Sequence, residues 1–220
     1  MAEAFFQATA WTMDTPKPYG AFHLVLTVLG VSLSIFLARK FSFPERKAGP
    51  DTILFLCGLF LGLTELYKQG FIYYIENGRT YDWWYFPFQL CSVPMYLGLF
   101  IPMVPARIRN VFYLFIQDFG LLGGIMALAE PSGLMHPYWT MTVHGFLWHF
   151  NLIFMGLICA FYNLKTETPK SYLHTIPLFL FCTSIATAVN VLSHPYGNAD
   201  MFYISPYYPN GQIVFHQSPR

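Results

Sequence analysis

The sequence predicts an all-α, polytopic transmembrane helical bundle, and three observations carry that prediction. Charged residues make up 10% of the 220 residues and hydrophobic ones 55%, against roughly 25% charged in an average soluble chain. Six apolar stretches are long enough to cross a hydrocarbon core about 30 Å thick at 1.5 Å rise per residue. Polar faces at helical period, which a soluble bundle would need, are largely missing. The chain reads as one integral membrane domain over residues 1–220.

The expected spans are 20–38, 52–75, 83–104, 110–129, 138–163 and 172–193. Residues 1–19 lack the basic start and apolar core of a cleavable signal and contain Asp14, Pro16 and Pro18, so the first span does the targeting. The second carries Glu65 and Lys68, three apart on one face and able to neutralise each other, and Gly58 and Gly62, a spacing that permits close helix contact. The third holds Cys91 between Pro87 and Pro94. Each proline removes a backbone donor, so the helix is expected to bend there and release carbonyls. The fourth has Asp118 beside Gln117, then Gly120 and Gly124; the fifth has His144 and His149.

Orientation follows from the basic loops. Arg39, Lys40, Arg46 and Lys47, then Arg107 and Arg109, then Lys165 and Lys170 lie on one side; Lys17, Arg79 and Arg220 lie on the other. The N-terminus is therefore expected outside. Threaded this way, Glu65, Cys91, Asp118 and His149 fall at similar depths, about 12–16 Å below the outer surface. Charged groups at mid-membrane cost about 2.5–3.5 kcal/mol on insertion scales and usually face a bundle interior or wet cavity. One polar chamber opening outward is the simplest expectation.

Among the four cysteines, Cys57, Cys159 and Cys182 sit in apolar runs, where a thiol packs as a small hydrophobe. Cys91 differs in having Gln89 and Ser92 as polar neighbours. No spacing suggests a disulfide or a zinc site. A buried lone thiol is inert without a base, because the thiolate is the nucleophile. His23, His136, His174, His194 and His216 fall near span ends or in loops, whereas His144 and His149 lie well inside a span. Their five-residue separation, about 140° around a helix, sets them on different faces and argues against one metal held by both. His149 shares the depth of Cys91, so the two form the candidate nucleophile and base. Glu65, Lys68, Asp118 and His144 are candidate supporting or headgroup residues. Gln89 and Ser92 are candidate donors to a developing oxyanion. No metal, cofactor or nucleic-acid partner is expected.

The acidic Glu65, the Gln89-Leu90-Cys91-Ser92 element, the glycine-rich stretch leading to Glu130-Pro131, Trp148-His149, and the late Gly197-Asn198-Ala199 with Met201-Phe202-Tyr203 give a pattern that covers most of the chain. It resembles the YwaF family of bacterial integral membrane proteins, related to a eukaryotic transmembrane acyltransferase family acting on ether phospholipids. The resemblance implies a Cys-His catalytic pair at Cys91 and His149, acyl transfer from a phospholipid to a lysophospholipid, and a bacterial plasma membrane. Members continue through another hydrophobic segment after the Gly-Asn-Ala element, whereas this chain ends at Arg220, so a missing C-terminal span is also expected. Two other functions are compatible with the residues alone: an ion or proton path through Glu65, Lys68 and Asp118, and a structural membrane protein.

Overall fold

A computed structural model describes residues 2–42, 50–163, 168 and 170–207. Arg46, Lys47, Lys165, His216 and Arg220, used above for orientation or surveyed as bases, lie outside the described residues. Within them the fold is all-helical, with a single isolated bridge between Thr12 and Tyr138. The helices are α1 (Ala2–Ala8), α2 (Ala21–Phe41), α3 (Asp51–Phe71), α4 (Val93–Phe100), α5 (Ala106–Phe115), α6 (Leu121–Ala129), α7 (Trp139–Asn163) and α8 (Ile176–Ser193). Helical turns extend some of them, so that Ala106–Ala129 and Ser171–Ser193 join α2 and α7 as four stretches long and apolar enough to cross a membrane.

The second span is α3, continued by a π-helical turn at Ile72–Glu76. The third departs from a continuous helix over 83–104. A short 3-10 turn at Trp83–Tyr85 is followed by extended backbone at Phe86 and Gln89, and helical structure resumes only over Leu90–Met103. Pro87 accounts for the break: it offers no N–H and keeps Phe86 out of the helical region. Pro94 is tolerated because it stands in the first turn of α4, where its N–H would be unused. The resumed helix spans about 21 Å. Cys91 is therefore in the first turn of a short helix, rather than two turns into a long one.

The core is built from α3, α4, the α5–α6 span and α7. Leu54, Leu61, Val93, Ile101, Phe115, Ile116, Leu152 and Met155 are buried within it. Half of α7's apolar window is buried but only 17% of α2's, so α2 presents Leu24, Val28, Leu29 and Phe36 outward as a lipid-facing helix does. Glycines set the closest approaches. A Cβ on Gly98 would stand 2.6 Å from the Leu54 carbonyl oxygen, one on Gly58 2.9 Å from the Met95 carbonyl oxygen, and one on Gly124 2.6 Å from Ile153. The glycine spacings of the second and fourth spans thus serve packing. Gly98→Ala has to push α3 from α4 by backbone movement and is expected to cost about 1–3 kcal/mol. The fraction of monodisperse protein after graded heating in detergent measures this, with Gly133→Ala, whose Cβ meets nothing within 4 Å, as an unaffected control.

The N-terminal segment is pinned across the end of the bundle where α3 finishes and α7 begins. Met13 N–H donates to the Pro137 carbonyl at 2.8 Å, and Trp139 N–H to the Trp11 carbonyl at 2.9 Å. Phe6 packs over Gly70 and stacks on Tyr74, and Glu3 pairs with Arg79. His23, expected at an interface, is 2% exposed and hydrogen-bonds the Leu128 carbonyl through Nε2. The reason is that the start of α2 docks against the end of α6.

Candidate functional site

A cavity of about 170 Å³ lies at that same end of the bundle. It is lined from α3 by Glu65 and Lys68, from the broken third span by residues between Trp84 and Ser92, from the α6–α7 connection by Gly133 to His136, from α7, and by Tyr203. Seven of the eight residues singled out in the sequence face it: Cys91, His149, Gln89, Ser92, Glu65, Lys68 and His144.

Met141, His144, Gly145, Trp148 and His149 line it from α7. Their spacing of 0, 3, 4, 7 and 8 is one broad helix face, so the two histidines belong to a single wall. Although they stand about 140° apart around the helix, the cavity is wide enough to take both edges of the stripe. His149 Nδ1 lies 2.7 Å from the Gly145 carbonyl oxygen. A carbonyl only accepts, so Nδ1 carries the proton, and the neutral ring keeps Nε2 as an acceptor. His144 Nε2 is buried without a hydrogen-bond partner in the protein.

The Cys91 carbonyl accepts from Trp148 Nε1 at 3.3 Å, and Ser92 follows Cys91 in the same 3-10 turn. Lys68 is close enough for its charge to act on Cys91, His136, His144 and His149. It pairs with Glu65 at 2.8 Å, the neutralisation its spacing suggested. Glu65 also accepts from Gln69 Nε2 at 2.7 Å, and Gln69 donates to the Tyr85 carbonyl at 2.6 Å. One carboxylate therefore ties the cation to the unwound part of the third span.

One expectation needs correction. Asp118 does not line the cavity; it sits in a π-helical turn, Ile116–Gly120, whose neighbouring Gln117 accepts from Asn163 Nδ2 at 2.9 Å. Equal depth brought it no closer, because depth says nothing about the direction a side chain takes around its helix. Gln89 lines the cavity, but its oxygen and one of its two amide N–H groups are engaged elsewhere. Its Nε2 donates to the Asp200 carbonyl at 3.0 Å and its Oε1 accepts from Phe202 N–H at 2.9 Å.

Those bonds explain the late motif. Asn190 adds a matching pair to Met201, donating to its carbonyl at 3.0 Å and accepting from its N–H at 2.7 Å. Asn198 Oδ1 accepts from Trp84 N–H at 3.2 Å, and a Cβ on Gly197 would stand 2.5 Å from Trp83. Phe202 and Tyr203 take φ of 58° and 56°, a region costly for aromatic residues. Gln89 and Asn190 hold that turn so that Tyr203 reaches the cavity.

His136, Trp84, Tyr85, Trp148 and Tyr203 also line the cavity but were absent from the sequence-derived set; Trp148 and Tyr203 stood in its motifs without a role. Burial, then the Lys68 charge, pushes His136 below its ordinary 6.5. A folded pKa below the unfolded one means that stability is present above about pH 6.5 and is lost as pH falls through the folded value. The melting temperature in detergent should fall between pH 7 and pH 5.5, and His136→Gln should flatten that fall.

Among the described residues no three His, Cys, Asp or Glu side chains are grouped to hold a metal ion. The family model described as the TMEM164 family matches residues 18–216. No curated protein and no solved structure matches the chain.

Proposed function

The chain belongs to the TMEM164 family, and from that premise we propose that this membrane protein transfers an acyl chain between lipids through a thioester on Cys91, with His149 as base. The observation that carries the reading is that Cys91 and a histidine whose Nε2 is free to accept a proton face one cavity. The first-turn position adds to it, since negative charge developing on Sγ lies near the positive end of the α4 dipole.

In the proposed cycle His149 Nε2 takes the thiol proton as Sγ attacks the ester carbonyl of an acylated phospholipid. The C–O bond breaks, the departing oxygen takes the proton from Nε2, and a lysophospholipid leaves. A second lysophospholipid gives its hydroxyl proton to Nε2 and attacks the thioester, the C–S bond breaks, and the thiolate recovers the proton. The Lys68 ammonium and the Ser92 hydroxyl are the donors closest in character to what the oxyanion needs. Glu65 holds Lys68, His144 offers Nε2 to a headgroup, and Gln89 braces the Tyr203 turn. An ion path through Glu65, Lys68 and Asp118 loses its support with Asp118 outside the cavity.

Intact-mass measurement of protein extracted from native membranes tests the reading. An adduct of fatty-acyl mass on Cys91, removed by neutral hydroxylamine, is expected; its absence from protein that is turning lipid over would overturn the thioester. The kinship with the bacterial YwaF family, a plasma-membrane location and an outside N-terminus belong to the same proposal. For the last, a cysteine near Arg79 should label from outside intact cells and one near Arg46 should not, and the reverse pattern would invert the topology.

A further inference from the structure

The cavity is too small for the substrate proposed for it. About 170 Å³ is close to the roughly 150 Å³ of an engineered cavity that takes one benzene. A lipid chain that fills half of a hydrocarbon core about 30 Å thick has roughly a dozen methylenes. The cavity therefore takes the ester and part of a headgroup, and the chain attached to that ester has to lie elsewhere.

Cys91 also meets a residue that does not line the cavity. Cys91 is only partly buried, and Gly123 of α6, which is not among the residues lining the cavity, lies against it. A Cβ placed on Gly123 would stand 3.5 Å from Cys91 Cβ and 3.8 Å from its Cα, with no other atom within 4 Å. The glycines on either side of it in register do something different. Gly120 and Gly124 face α7, meeting Leu152 and Ile153, whereas Leu122, Ile125 and Met126 are more than half exposed on a membrane-spanning stretch. Gly123 thus lies at the seam between the packed face of α6 and its outward apolar face, with Cys91 directly behind it.

We infer that the notch at Gly123 is the doorway by which the acyl chain of the substrate, and of the Cys91 thioester, reaches the bilayer hydrocarbon, and that the size of residue 123 limits which chains Cys91 can accept. The inference rests on the thioester reading for its occupant, but the doorway is a property of Cys91 access and can be measured without turnover. Apolar matter in the notch replaces lipid with lipid-like surface, so the chain needs no dedicated tunnel. A side chain longer than alanine's there would project over the sulfur-bearing residue, since a Cβ at 123 already stands 3.5 Å from Cys91 Cβ. Ester and chain then approach Cys91 by separate routes, the polar end through the cavity and the apolar end through the bilayer.

The test is the rate of Cys91 modification in lipid nanodiscs, read by peptide mass spectrometry, with methyl methanethiosulfonate and hexadecyl methanethiosulfonate as probes. Gly123→Leu should slow the hexadecyl reagent at least tenfold while changing the methyl reagent less than twofold, and Gly123→Ala, whose Cβ makes only an ordinary contact, should fold normally and slow the hexadecyl reagent by about threefold. Parallel changes with both reagents, or no change with either, in whichever of these variants is obtained folded, would overturn the doorway. A Cys91 acyl adduct in native protein together with unaltered hexadecyl labelling in Gly123→Leu sinks the doorway alone. Selective loss of hexadecyl labelling in a protein with no acyl adduct supports the doorway and leaves only the thioester reading to fall.

Discussion

Replacing Cys91 by alanine should abolish acyl transfer, by about 10³-fold or more, and His149→Ala should do the same. The double variant should be no worse than either. A thiol without its base and a base without its thiol are each nearly useless where solvent cannot supply the missing proton transfer. Cys91→Ser should also be severely impaired, because a hydroxyl is much harder to deprotonate than a thiol. Cys57, Cys159 and Cys182 are buried among apolar residues, so alanine at those positions should cost only packing, about 1 kcal/mol, and leave transfer intact. His149→Gln is the finer probe. Its amide can still reach the Gly145 carbonyl, so folded yield should be retained while transfer is lost. Normal turnover in Cys91→Ala would remove the covalent mechanism altogether.

Glu65→Ala should be the most damaging single change to folding among the cavity residues. Lys68 would keep a part-buried ammonium with its carboxylate gone, at a cost approaching the roughly 3–5 kcal/mol of a fully buried unpaired charge, and Gln69 would lose one of its two acceptors. Combining Glu65→Ala with Lys68→Met removes both charges and should restore most of the folded yield, as expected of a coupled pair. Fluorescence-detected size exclusion after heating reads the fold, and acyl transfer reads the chemistry. If the double variant folds but is inactive, the pair serves the reaction; if it folds and works, the pair serves only the fold. Additive losses in the double variant would show that the two residues are not coupled.

The bundle was legible in the sequence because a bilayer imposes length and apolarity on every span, and both can be counted along the chain. Five of the six expected spans match helical stretches within a few residues, and Glu65 with Lys68 was readable from spacing alone. The third span was legible only in part. Its prolines announced a bend, but where the helix restarts depends on what holds the unwound residues, and that holding comes from Gln69 to the Tyr85 carbonyl and Asn198 to Trp84. These partners are remote in sequence, so no local pattern reveals them.

The sequence by itself determined that this is an all-helical membrane protein, and it singled out one distinctive cysteine and two histidines well inside a span. Only the tertiary structure decided which of those residues meet. It sent Asp118 away, put His144 and His149 in one wall, drew His136 and Tyr203 in, and gave Gln89 a place as a brace for a strained turn. Depth in a membrane is a one-dimensional quantity, fixed by counting residues along a helix. Whether two side chains at one depth share a cavity depends on the rotation of each helix about its axis. That rotation is set by close contacts such as Gly58 against Met95 and Gly124 against Ile153, which only the packed chain contains.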